Sequence, residues 1–152
     1  MNVNPELPDF TKTHAAGKPQ VVWIKLVADM ETPVSAMLKL ARGRPNSFLL
    51  ESVEGGTNRG RYSFIGLRPD IIWRCHGDSA ENNRHADTDA SAFVPCPVGE
   101  KSGAIQSLRA LIAESRIDLP DDLPPMSSGL VGYLGYEMVR LVENLPASNP
   151  DV

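Results

Sequence analysis

Proline sets the strongest limit on what this chain can become. The 152 residues contain 13 prolines, and each fixes φ, lacks a backbone N–H and is kept out of helix interiors and central strands. The chain must therefore fold as many short elements joined by stiff turns. Its length still suffices for one ordinary domain with a core of its own. A hydrophobic share of 41% and a charged share of 22% exclude a disordered or fibrous chain.

Charge and cysteine usage narrow the setting. Fifteen Lys+Arg against 19 Asp+Glu leave a net charge of −4, which gives no general attraction to nucleic acid or to an anionic membrane. No apolar run approaches the ~18 residues of a bilayer span. The first fourteen residues carry Glu6 and Asp9 and lack the apolar centre of a secretory signal. Cys75 and Cys96 have no CxxC spacing and read as reduced thiols in a cytoplasmic protein. His14, His76 and His85 form no ligand spacing with them, so no metal site is expected in the chain.

The element pattern is α+β with a largely antiparallel sheet and about three helices. Residues 1–18, broken by Pro5, Pro8 and Gly17, read as a flexible leader, and 19–152 as the domain. Gln20–Val27 is rich in β-branched and aromatic residues and reads as a strand. Thr32-Pro33 is a helix start, with Thr32 as N-cap and Pro33 at the first position. Val34, Met37, Leu38 and Ala41 would form its apolar face until Gly43 and Pro45 end it.

Short strands follow at Ser47–Val53, Arg61–Ile65 and Asp70–Cys75, with connections too short for parallel crossovers. An edge strand is expected near Glu81–His85, and Ala90–Gly103 reads as a surface connection. Ala104–Ser115 is the clearest helix, with Ile105, Leu108, Leu111 and Ile112 on one face. Gly129–Leu134 reads as a buried strand, and a helical pattern runs from Gly135 to Pro146.

Familiar catalytic signatures are missing: there is no GxSxG, HExxH, Walker loop or GxGxxG. The Gly129, Gly132, Gly135 spacing lacks the Lys-Ser/Thr ending of a phosphate loop and fits close packing against a neighbouring backbone better. A stranger place is Phe48-Leu49-Leu50-Glu51-Ser52, followed after Gly55-Gly56 by Arg59-Gly60-Arg61-Tyr62-Ser63. In a strand, Phe48, Leu50 and Ser52 face one way and Leu49, Glu51 and Val53 the other. A carboxylate and a hydroxyl thus end an apolar strand, with guanidinium groups nearby. Such a corner can hold a small zwitterion, with Glu51 or backbone carbonyls taking an ammonium, Arg61 or backbone N–H groups a carboxylate, and the apolar side chains a ring. From spacing alone the plainer reading is an Arg–Glu pair at a hairpin end.

These stretches carry a resemblance. Leu49-Leu50-Glu51-Ser52, the Arg59–Gly66 run and Gly129–Glu137 (GLVGYLGYE), in this order, resemble the N-terminal region of anthranilate synthase component I over nearly the whole chain. The resemblance implies a chorismate-using lyase of tryptophan biosynthesis that makes anthranilate with Mg²⁺ and with ammonia from a glutamine amidotransferase subunit, component II. It implies that L-tryptophan, as feedback inhibitor, contacts Ser52 first, with Leu50 and Glu51 beside it and Arg61, Tyr62 and Ser63 as further contributors. It also implies that the catalytic residues and Mg²⁺ ligands lie in a C-terminal catalytic domain beyond Val152. None is therefore expected here, and this chain would be half of a sandwich, its Gly-Tyr segment packing near that domain. Two other readings stay open: a free-standing ligand-binding or interaction module of the same fold, and the sister enzyme that makes aminodeoxychorismate.

Overall fold

The computed structural model describes residues 2–51, 62–124 and 126–146. The fold is α+β with antiparallel sheets, and it divides into two compact units: Met1–Pro69 with Ile117–Ser128, and Asp70–Arg116 with Gly129–Val152.

The first unit opens on a helix, α1 (Leu7–Ala15), where the sequence reading expected a leader with little structure. Pro8 is the reason for the difference: it lies in the first helical turn, where its missing N–H costs nothing. The strand expected at Gln20–Val27 is absent. Its only pairing among the described residues is a bridge in which Asn4 and Trp23 exchange two N–H···O bonds of 2.8 Å. Val22, Ile24 and Leu26 are left 53%, 43% and 59% exposed, because β-prone residues form a strand only against a partner.

Helix α2 (Pro33–Ala41) forms as its sequence predicts. Ser35 N–H donates to Thr32 Oγ1 at 3.1 Å and Thr32 N–H donates to Ser35 Oγ at 2.9 Å, a reciprocal capping box. Its expected apolar face is only partly used: Ala41 is buried, while Val34 and Leu38 are exposed. The helix packs against β1 (Phe48–Leu50) and β2 (Phe64–Gly66). These strands are antiparallel in the register Phe48↔Gly66, Leu49↔Ile65, Leu50↔Phe64. The Phe48 ring covers Gly66 so closely that a Cβ there would lie within 3.0 Å of three ring atoms.

The second unit is a three-stranded antiparallel sheet of β3 (Ile72–His76), β4 (Ser79–Asn83) and β5 (Val94–Pro95), in that order. The Glu81–His85 region, expected at an edge, instead contributes the central strand. Its polar side chains misled: Asn83 is fully buried, donating through Nδ2 to Asp89 O at 2.7 Å and accepting His85 N–H on Oδ1 at 2.8 Å. The surface connection expected over Ala90–Gly103 is also corrected, for it folds into β5 and the short helix α3 (Pro97–Ser102), again with proline in the first turn.

Helix α4 (Ala104–Glu114) follows as predicted. Asp78, in the β3–β4 turn, accepts the Ala104 N–H at 2.7 Å and so caps α4 from outside its own sequence. The buried face of α4 is Ala104, Ser107 and Leu111, and Ile112 stays exposed. Ala80, Cys96 and Ala104 form the core cluster, with Trp73, Cys75 and Leu141 packed against it. The strand expected at Gly129–Leu134 does not form, and a 3₁₀ turn spans Tyr136–Leu141. No atom lies within 4 Å of a Cβ built at Gly129, Gly132 or Gly135, so the close neighbour expected for these glycines is not among the described residues.

Candidate functional site

The predicted site falls where β1 ends and β2 begins. Leu50 is the last residue of β1 and is 42% exposed; Glu51 follows it, also exposed. Tyr62 and Ser63 are exposed residues leading into β2. Ser52 and Arg61 lie outside the described residues. Antiparallel pairing therefore brings Leu50, Glu51, Tyr62 and Ser63 to one end of the β1–β2 pair, although the two strands are distant in sequence.

The pleat divides this set. Leu50 lies across from Phe64, so both belong to one face. The Tyr62 ring stands 6.1 Å from that of Phe64, tilted by 49°, within the range of favourable aromatic pairs. Leu49 and Ile65 belong to the other face, and the same alternation carried on by one residue assigns Glu51 and Ser63 to it. Sequence reasoning had placed Phe48, Leu50 and Ser52 on one side but missed Phe64. The sequence signal is the two-residue spacing from Tyr62; the pairing with Leu50 comes only from the register.

The second unit holds a separate polar cluster that the sequence did not announce. Trp73 Nε1–H donates to Ser107 Oγ at 2.9 Å, and the Ser107 hydroxyl donates to Cys96 Sγ at 3.1 Å. Burial pushes the Cys96 thiol up, but bonds from Ser107, the Gly99 and Val98 N–H groups and Asn82 outweigh it and hold the pKa below the ordinary thiol value. Cys75 goes the other way, raised by burial and then by the Asp78 charge. Its Sγ lies 3.4 Å from Met138 Sδ.

Beside Cys96 is a cavity of about 50 Å³, with Arg84 and Glu114 in its lining. These two form a bidentate pair at 2.6 and 2.7 Å, and the bond from Arg84 holds Glu114 below the usual carboxylate range. The space suits one or two water molecules at ~30 Å³ each, not an amino acid. Among the described residues no group of three or more His, Cys, Asp or Glu could hold a metal ion, and no helix is long and apolar enough to cross a membrane.

An α+β segment with an aromatic-lined strand end is the class these features define, and comparison with known proteins makes it specific. The chain is 54% identical over 142 residues to anthranilate synthase component 1 of Cereibacter sphaeroides, a match that covers 93% of the chain and 28% of that protein. The same protein of Synechocystis sp. is 37% identical over 150 residues, covering 97% of the chain and 28% of the relative. That of Mycolicibacterium smegmatis is 43% identical over 124 residues, covering 80% and 22%. No family model matches the chain, and no solved structure matches it. Over the matched residues the chain belongs with anthranilate synthase component 1. It spans about a quarter of the length of these relatives, 22–28%.

Proposed function

We propose that this chain is the N-terminal, regulatory part of an anthranilate synthase component I. The observation that carries the reading is 54% identity maintained over 142 residues, nearly the whole chain. The complete enzyme converts chorismate and ammonia to anthranilate and pyruvate, the ammonia coming from glutamine through the component II amidotransferase. Mg²⁺ serves that reaction. On this reading its ligands lie in the C-terminal catalytic domain.

This part binds L-tryptophan as feedback inhibitor at the end of the β1–β2 pair, with Ser52, Leu50 and Glu51 as principal contacts and Arg61, Tyr62 and Ser63 beside them. A zwitterion with an apolar ring suits a place where apolar strand residues give way to a carboxylate and hydroxyls. The test is the anthranilate-forming activity of the enzyme carrying this segment, supplied with chorismate, Mg²⁺ and ammonia. Addition of L-tryptophan is expected to lower it; an unchanged rate at saturating L-tryptophan contradicts the regulatory role.

A further inference from the structure

We infer that Phe64, through the aromatic face it shares with Leu50 and Tyr62, is the residue that selects an effector with a planar ring. The inference rests on the tryptophan-binding reading above and deepens it. The register sets Leu50 directly across from Phe64, where paired side chains lie about 5 Å apart on one face. The Tyr62 ring extends the same surface at 6.1 Å.

At the other end the Phe48 ring fills the space above Gly66, so the apolar strip is continuous along the pair. Leu50 is 42% exposed and Tyr62 37%, which leaves this side open to a ligand at the strand end. Leu49 and Ile65, on the opposite face, are both half-buried and bring no aromatic surface. A ring lying on Leu50 would meet Phe64 beside it in the offset or tilted arrangement that aromatic pairs favour.

The experiment is calorimetric titration with L-tryptophan of the wild-type enzyme and of Phe64→Leu, Phe64→Tyr and Ile65→Val, each checked first by circular dichroism. Leucine preserves apolar bulk and so the strand pairing, and tyrosine preserves the ring. Phe64→Leu is expected to weaken binding about tenfold, Phe64→Tyr to retain it, and Ile65→Val to leave it unchanged. Wild-type binding with an equal affinity in Phe64→Leu, or an equal loss in Ile65→Val, overturns the role of Phe64 and leaves the regulatory reading standing. Absence of wild-type binding overturns both together.

Discussion

The hydroxyl of Ser107 serves two partners at once, accepting from Trp73 at 2.9 Å and donating to Cys96 at 3.1 Å. Removing it strands a half-buried indole N–H and withdraws a donor from the sulfur. Ser107→Ala is expected to cost about 1–3 kcal/mol in urea unfolding and to move the first thiolate ionisation toward the ordinary thiol value. An unchanged midpoint together with an unchanged ultraviolet thiolate titration contradicts the relay. The pH dependence has a definite sign. Because the folded pKa of Cys96 lies below its unfolded value, its contribution is fully present above the unfolded value and fades as pH falls through the folded one. The raised thiol of Cys75 does the opposite, its contribution being lost as pH rises. Cys96→Ser should therefore remove the lower of two thiol ionisations and Cys75→Ser the higher. In the first unit, Gly66→Ala is expected to displace the Phe48 ring and to destabilise by about 1–3 kcal/mol, the usual range for overpacking. Phe48→Ala should relieve part of that loss in a double-mutant cycle, and strictly additive effects would show that ring and glycine do not interact.

At the scale of elements, capping was the most legible signal. Thr32 and Pro33 mark the start of α2 in sequence and in structure, and Thr32→Ala is expected to cost about 1 kcal/mol. Thermal unfolding followed by circular dichroism measures it, and a shift smaller than the replicate error contradicts the capping box. Helix α4 was legible from its period, but its inward face is turned toward Ala104, Ser107 and Leu111, because Ser107 must reach Trp73. Proline was legible as punctuation but ambiguous in direction: Pro8 and Pro97 open helices that the sequence reading took for a leader and a connection. Strand propensity at Gln20–Val27 and Gly129–Leu134 was real in composition, yet a strand is a property of a pair, and neither run finds a sheet partner among the described residues. Central β4 was obscured for the converse reason, since its buried Asn83 is satisfied by local bonds that composition does not show. Of the candidate site, the convergence of Leu50 and Glu51 with Tyr62 and Ser63 was readable, whereas the face each residue occupies required the register.

For the whole molecule, the imbalance between buried and exposed apolar groups agrees with the length comparison. The buried hydrophobic residues among those described are Ala41, Ala80, Cys96, Ala104 and Leu111, four small ones and a single leucine, while Tyr133 and Tyr136 are 94% and 89% exposed. On the proposed reading, chorismate chemistry belongs to the part of the relatives that the match does not reach. The 152-residue chain by itself is then expected to yield no anthranilate from chorismate, Mg²⁺ and ammonia, and product fluorescence above a protein-free blank would contradict this. The central claim, regulation by tryptophan through the Leu-Leu-Glu-Ser segment, is reached most directly by one comparison. Anthranilate formation is measured against L-tryptophan concentration for the wild-type enzyme and for Ser52→Arg. The account predicts that the substitution abolishes inhibition while chorismate turnover stays within about twofold, since on the proposed reading the effector site and the chorismate site are distinct and a large charged side chain blocks only the first. An inhibition curve for Ser52→Arg that superimposes on the wild-type curve would contradict it.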